Sequence, residues 1–532
     1  MPFRSDEPPA ERAADDRRHF SIRAPSWRGP EATWALAFEA AAALLIFATA
    51  IALRVTKLGS IPKIVTADEA DNLQTAFHIM QGTGPGFFGF DWKPAPIFSL
   101  YPLAWTMQIF GDSISDFRLF PVILSLLTII AFYLLARRSL GPFAALAALA
   151  LLSTNLYFLH FSRTAWDNMN AALFAVGACY ATQRALEQRG GWGWAAWWTA
   201  SGIFITFGLY GYFTGRFIFV AVMLMTVTAV ALRVAPWRQA FGGLLLAGVV
   251  SAALFAPMAV EIADEWDYFN RRTNNVSVFE VPESQPYEGD TNGWVIAAKN
   301  VVRNYQAFVL QDGSEITRGI WPRYSPQHRA PLDFISTHLF WGGLIVGAIR
   351  FRKTYGWWAF FAPLFIAESF STGTPDLARG LLFAPFYFLF IGLLFDEALK
   401  LLKTPADRYT AALAIASLVA FIGVVNVADY FEWQDDPGTQ LARMPGVDPC
   451  EYQLWLGLGM TAAKEGEHEG IDPEEFTRLR KELDCSELVR EWLGAAAVGA
   501  HERTQRYRAR LARPTVPRDS EGSRRVLARK PS

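Results

Sequence analysis

The sequence predicts an all-α polytopic membrane protein, and three observations carry that prediction. The 532 residues are 52% hydrophobic, 14% aromatic and only 19% charged. The apolar residues are blocked into runs of roughly 18–25, the length a helix needs to cross about 30 Å of hydrocarbon. Arginine and lysine concentrate in alternate short connections between those runs, as the positive-inside rule requires of cytoplasmic loops. So many uncharged runs exceed what one globular core can bury, which excludes a soluble enzyme. A formal net charge of −1 leaves no basic field for nucleic acid.

Eleven spans are expected, near 34–56, 116–136, 143–160, 169–187, 194–212, 216–233, 240–258, 334–350, 356–371, 379–398 and 408–428. The first is too long, and too poorly followed by a small-residue cleavage site, for a signal peptide, so it reads as an anchor. Arg137 and Arg138, Arg184 and Arg189, and Arg233 and Arg238 mark cytoplasmic connections. Arg350, Arg352 and Lys353, then Lys400, Lys403 and Arg408, mark the later ones. The Arg-rich N-terminus joins them inside the cytoplasm, and an odd span count puts the C-terminus outside. The basic last thirty or so residues run against that placement, but long segments translocate largely regardless of charge.

The chain then divides into a cytoplasmic tail of disordered composition, 1–30, and a transmembrane region, 31–430, with external loops 57–115 and 260–333. An external C-terminal region, 431–510, and a basic tail of disordered composition, 511–532, complete it. The loop 260–333 is too long for a simple turn and is expected to carry substrate contacts. Cys179 falls inside a span and reads as packing. Cys450 and Cys485 both fall in the external region, where an oxidising compartment would join them as a disulfide. Phe476, Leu479, Leu483 and Leu488 mark an amphipathic helix over 474–493, which that bridge would tie to the segment leaving the membrane.

The candidate site begins at "IVTADEADNL", residues 64–73. "TADE" matches a capping box, with Thr66 as the cap and Glu69 reaching back to it. Leu73, Ala76, Phe77 and Met80 then recur at helical spacing, giving an amphipathic helix on the membrane surface that ends at Gly82. Capping is one reading of Glu69, and dipole complementation is the simpler reading of Asp71. Asp68 stands at the second helical position, where the helix N-terminus favours its ionised form beside a low-dielectric wall. A carboxylate so placed can accept a proton from a hydroxyl. "FDWKPAPIFSLYPLAWTMQIFG", residues 90–111, is broken by Pro94, Pro96 and Pro102 and reads as a short surface helix rather than a span. Its Lys93 either snorkels to the headgroups or stands on the same face as Asp68.

"DEADN" at 68–72, "KPAP" at 93–96, "FGDSISDFRLFP" at 110–121 and "RRSLG" at 137–141 form an ordered set. "HFSRTAWDN" at 160–168, "GLYGYFTGRF" at 208–217 and "TPDLARGLLFAPF" at 374–386 extend it. In these the chain resembles the GT-C class of membrane glycosyltransferases, and within it the family of protein O-mannosyltransferases and aminoarabinose transferases (glycosyltransferase family 39-like). The resemblance covers residues 34–430 and is stronger over the first 220.

The resemblance implies an inverting enzyme of the cytoplasmic membrane. It would move a sugar, hexosyl or pentosyl, from a polyprenyl-phosphate donor to a hydroxyl of a protein, lipid or glycan on the outer face. It also implies that Asp68 is the general base, with Glu69 beside it, and that Lys93 lies near the donor phosphate. The leaving phosphate gains negative charge, so fixed cations are needed there. Arg163, Arg216 and Arg379 sit where spans meet the outer surface, against the positive-inside rule, and each therefore needs a partner. The donor phosphate is one; Asp68, Asp167 and Asp376 are others. Tyr212, with Tyr210, belongs either to an interfacial aromatic belt or to the donor groove, and Asp167 is a candidate substrate contact. The oligosaccharyltransferases of the wider class use a metal and carry a Trp-Trp-Asp-Tyr-Gly run, which is absent here. The histidines show no pair at ligand spacing, so neither a metal nor a cofactor is expected.

The rival is a transporter or lipid-carrier flippase without transferase activity. Such proteins carry ionisable residues at midplane and often inverted repeats, whereas here the ionisable residues gather at the outer edge and no repeat is visible. A non-catalytic scaffold with the same fold is the third reading.

Overall fold

A computed structural model describes residues 30–435, except 63, 64, 92, 93, 112, 317–323, 327 and 328. Lys93, Cys450, Cys485, the N-terminal tail and nearly all of the C-terminal region therefore lie outside the described residues. The chain partitions into two units, 1–45 and 46–532, and the second holds the helical bundle.

Among the described residues the regular structure is helical, apart from two isolated β-bridges. Helix α1 (Pro30–Val55) is followed by α2 (Ala67–Gln81), α3 (Tyr101–Phe110), the short α4 (Ile114–Phe117) and α5 (Leu119–Ser139). Then come α6 (Pro142–Thr154), α7 (Leu156–Phe161), α8 (Asn168–Glu187), α9 (Gly191–Tyr210), α10 (Ile218–Ala231) and α11 (Trp237–Asp264). The stretch expected to be an external loop holds α12 (Trp266–Val276), α13 (Gly293–Phe308) and the single turn α14 (Gly313–Ile316). Helices α15 (Phe334–Ile349), α16 (Phe351–Ser369), α17 (Leu377–Gly380), α18 (Ala384–Leu401) and α19 (Pro405–Asp435) complete the order.

Every expected span coincides with helix, and among the described residues six helical segments are long and apolar enough to cross a membrane. This is a multi-pass membrane protein. One expected span, 143–160, is two helices instead. Asn155 interrupts it at φ −59°, ψ 129°, taking the N–H of Phe158 on its side-chain oxygen (3.0 Å) and donating to the carbonyl of Pro331 (2.9 Å). An asparagine competes with the helix in this way because its amide offers the backbone another partner.

Over residues 384–395 helix α18 is apolar on all sides and buried on nearly all of them, as expected of a helix at the centre of a bundle. Small residues let the helices approach it and one another. A Cβ on Gly343 of α15 would lie 2.3 Å from the carbonyl oxygen of Phe390 in α18, and one on Gly202 of α9 would lie 2.6 Å from that of Ala247 in α11. At one end of the bundle Asp396 accepts from the backbone N–H of Gly141 (3.0 Å) and pairs with Lys400 (2.6 Å) and Lys353 (3.3 Å). Glu397 pairs with Arg350 at 2.8 Å. Three of the basic connections thus meet at one end.

At the other end, two buried arginines terminate α1. Arg54 donates to the Ser125 hydroxyl (2.9 Å) and to the carbonyls of Ala50 and Ser153 (both 3.1 Å). Arg163 donates to four carbonyls, those of Leu53 (2.5 Å), Arg54 (2.9 Å), Thr56 (2.7 Å) and Ile61 (3.0 Å). The last turn of a helix leaves such carbonyls without intrahelical partners. Arg163, expected at the donor phosphate, is therefore committed to the end of α1 and to the turn beyond it. Its guanidinium also lies over the rings of Tyr430 and Phe431, 5.8 and 5.7 Å from their centroids. Arg163→Met should strand these carbonyls and cost about 3 kcal/mol or more. Thermal unfolding in detergent would show the loss, and donor affinity per folded molecule should be unchanged; a weakened donor with an unmoved midpoint would return Arg163 to the phosphate.

Candidate active site

Helix α2 opens as the capping box requires. The N–H of Thr66 donates to Oε2 of Glu69 at 3.1 Å, and Gly82 closes the helix at φ +72°, in the left-handed region that glycine tolerates. Thr66, Glu69 and Asn72 face the segment 164–168. Trp166 Nε1 donates to Thr66 Oγ1 (3.0 Å), Ala165 N–H to Glu69 Oε1 (3.0 Å), and Asn72 Nδ2 to the carbonyl of Ala165 (2.9 Å). Beneath them Arg118 pairs with Glu69, Nε to Oε1 at 3.1 Å and Nη2 to Oε2 at 3.4 Å, both side chains at 0% exposure. The remaining Nη1 of Arg118 reaches the carbonyls of Leu58 (3.3 Å) and Pro62 (2.7 Å).

Glu69, expected beside Asp68 as a catalytic partner, is thus a buried structural anion with both oxygens occupied. Asp68, one residue earlier and about 100° around the helix, remains partly exposed. Arg118 is not among the site residues the sequence points to, although the argument that picks Arg163 and Arg216, an arginine at the outer mouth of a span, applies to it equally.

Further along, α2 turns toward the segment beyond it. Thr75 donates to the carbonyl of Asp71 (3.1 Å) and to the carboxylate of Asp91, whose own carbonyl accepts from the Tyr268 hydroxyl of α12. Burial pushes the Tyr268 phenol above its ordinary pKa, against the pull of Arg271, which lies 4.2 Å over its ring. Phe90 packs on Tyr268 and Phe269 with centroids 5.7 and 5.9 Å apart. Phe269 in turn lies 4.5 Å from the guanidinium of Arg216, with Phe213 at 5.0 Å on another side. Those rings are the contacts of Arg216; among the described residues it has no hydrogen bond and no carboxylate. A guanidinium desolvated by aromatic faces and left without a counter-ion is suited to an anionic ligand.

Arg379 is held from several directions. Asp376 caps α17 by accepting from Ala378 N–H (2.8 Å) and pairs with Arg379 at 3.5 Å. Arg379 Nη1 donates to Ser371 Oγ (2.5 Å) and the carbonyl of Thr372 (3.4 Å). Glu368, buried at the end of α16, accepts from the N–H of Asp376 at 2.8 Å. From α13, Asn300 donates to the carbonyls of Ser369 and Ser371 (both 3.1 Å), and Asn304 binds Ser369 Oγ (3.0 Å) and Thr374 Oγ1 (2.8 Å). From the first half of the chain, Tyr157 donates to the carbonyl of Leu377 and Asn168 to that of Ala378 (2.9 Å). Glu368, Asn300 and Asn304 escape sequence reading. The signal for Glu368 is an acid inside an apolar run.

Asp167 precedes α8, directly after the segment that touches α2. Tyr212 stands within Coulombic reach of Asp167, Asp376, Arg379 and Tyr324, four residues before Arg216 in the same turn. Tyr212 thus shares an electrostatic neighbourhood with Asp167 and Arg379, Arg216 is tied to the Asp91 segment through Phe269 and Phe90, and Asp68 adjoins the Glu69 that Ala165 holds. Arg163 is directed elsewhere. Among the described residues, no three His, Cys, Asp or Glu side chains are grouped to hold a metal ion.

Residues 94–260 match the dolichyl-phosphate-mannose-protein mannosyltransferase family. Among solved structures, an archaeal oligosaccharyltransferase, AglB from Archaeoglobus fulgidus in complex with an inhibitory peptide and a dolichol-phosphate, is similar. Its TM-score is 0.53 at 15% identity, over 80% of this chain and 59% of that one. ArnT from Cupriavidus metallidurans in the apo state gives 0.49 at 14% identity, over 89% and 76%. No curated protein sequence matches. The chain spans less than two thirds of the length of AglB. The fold is therefore that of the oligosaccharyltransferase, and the sequence likeness to the mannosyltransferase family lies in residues 94–260.

The Glu69–Arg118 pair changes what Glu69→Gln should do. A glutamine would serve the capping box almost as well, but it leaves Arg118 buried without its counter-charge, at a cost of about 3–5 kcal/mol. The unfolding midpoint should fall, and Glu69→Gln combined with Arg118→Met should recover part of the loss. A midpoint unmoved by Glu69→Gln alone would show that the pair is not an anchor.

Proposed function

We propose that this protein is an inverting glycosyltransferase that moves a sugar from a polyprenyl-phosphate donor to a hydroxyl acceptor at the outer face of the cytoplasmic membrane. The observation that carries the reading is a partly exposed carboxylate, Asp68, on a rigidly anchored helix start, in the same helical bundle as a guanidinium, Arg216, that has no counter-ion among the described residues. The family match over 94–260 and the GT-C fold support it. So does the dolichol-phosphate bound by the similar oligosaccharyltransferase.

In the proposed reaction the acceptor hydroxyl gives its proton to Asp68 as its oxygen attacks the anomeric carbon. The bond from that carbon to the phosphate oxygen breaks, and the polyprenyl phosphate leaves with the electron pair. The single displacement inverts the anomeric centre. Arg216 and Arg379, with Lys93 from the KP step, stabilise the charge that grows on the phosphate. Asp167 and Tyr212 border the sugar. The N-terminus is assigned to the cytoplasm and the C-terminal region, with its Cys450–Cys485 bridge, to the outside.

Asp68→Asn keeps size and hydrogen bonding but not basicity. It should fold normally and release polyprenyl phosphate from a sugar donor slower by a factor on the order of 100 or more. Near-normal turnover would remove Asp68 from the base role, and a wild-type protein that releases none would favour a transporter. Separately, Lys93→Ala, Arg216→Ala and Arg379→Ala should each weaken donor binding more than acceptor binding. Titration with polyprenyl phosphate decides this: unchanged affinity in all three would make the cations structural.

A further inference from the structure

Asn170 lies one turn into α8 and is 4% exposed. Its amide nitrogen has no hydrogen-bond partner among the described residues. A buried amide left unpaired costs about 1–3 kcal/mol; Asn170 is one of several such side chains among the described residues, and its position sets it apart. The neighbouring Asn168 has none of this character, since its amide is taken by the carbonyl of Ala378.

The surroundings of Asn170 point to a ligand. The chain at Gly211 passes directly over it: a Cβ at Gly211 would lie 3.1 Å from that of Asn170. Tyr212, the next residue, lies within Coulombic reach of Asp167, Asp376 and Arg379. Asp167 stands one turn before Asn170, and its carbonyl accepts the N–H of Asn170 at 3.1 Å. The unpaired amide therefore belongs to a residue that follows Asp167 by one turn and lies under the chain leading into Tyr212.

We propose that Asn170 hydrogen-bonds a hydroxyl of the transferred sugar and so helps to select the donor. This rests on the function proposed above. The charge pattern separates the sugar from the phosphate. Asp167, one turn away, disfavours an anion at Asn170, whereas the guanidiniums of Arg216 and Arg379 favour one at theirs. A polyprenyl tail has no use for an amide. A hydroxyl both donates and accepts, and the amide of Asn170 offers both functions. A site built to bond a hydroxyl rejects an analogue that lacks it, because the buried amide is then left unpaired.

The test uses the full chain in detergent, with polyprenyl-phosphate mannose, polyprenyl-phosphate glucose and the monodeoxy forms of each as probes. In the wild type, loss of one particular hydroxyl should weaken donor binding about tenfold or more. Asn170→Ala should weaken the parent donor by a similar factor and be indifferent to loss of that hydroxyl. Binding of polyprenyl phosphate without sugar should be unchanged in the variant. Asn170→Leu, of the same branching, should keep or raise the unfolding midpoint, because it removes an unpaired amide. Losses that simply add, polyprenyl phosphate binding that falls in step, or a midpoint lowered in both variants would overturn the proposal and leave the glycosyltransferase reading intact. A wild type that binds none of these donors, with or without sugar, would overturn both.

Discussion

Glu69 and Arg118 meet with neither side chain reaching solvent, and the geometry of the candidate site depends on that pair. Arg118 comes from the start of α5 and Glu69 from the first turn of α2, so the contact binds two elements that the chain separates by 49 residues. A buried pair alone rarely gains much over an apolar contact, because both charges must be desolvated. Here the remaining valences are used. Arg118 also holds the carbonyls of Leu58 and Pro62, and Glu69 also accepts from Thr66 and Ala165. With each oxygen and nitrogen given a fixed place, the rotation of α2 about its axis is set. The carboxylate one residue earlier is set with it.

The same logic recurs with arginine as a terminator of helices. Arg54 and Arg163 occupy the carbonyls at the end of α1, where a lipid environment offers no water to do so. Arg379 is different, since it shares Asp376 and Ser371 but is held by a loop whose backbone is in turn held by Asn300, Asn304, Tyr157 and Asn168. These supports come from α13, from α7 and from α8. The stretch between α11 and α15 thus shapes the position of a cation far along the sequence. Arg216 has the opposite surroundings: aromatic rings strip water from it, and no carboxylate among the described residues pairs with it. Three arginines that look alike in sequence are a cap, a braced cation and, among the described residues, a cation packed only on rings.

What the sequence determined by itself was whatever rests on local pattern. Runs of apolar residues placed each helix of the bundle, because length and hydropathy alone decide what can reside in hydrocarbon. "TADE" with Gly82 placed both ends of α2, because capping is satisfied within four residues of the chain. The break at Asn155 was not legible in this way, since a single polar residue splits a span only when Pro331 is there to take its amide.

Which ionisable residue does what was decided by tertiary structure. Glu69 and Asp68 are adjacent in an acidic run, and nothing local says which one faces Arg118; a rotation of about 100° between neighbours separates a buried strut from an accessible carboxylate. Arg163 and Arg216 share a charge and a rationale, and differ in whether carbonyls come to meet them or aromatic rings alone. Partners of that kind arrive from α1, α12 and α13 across long stretches of chain. A charge acquires its role from the groups that desolvate and pair it, and those groups are brought to it only by the fold.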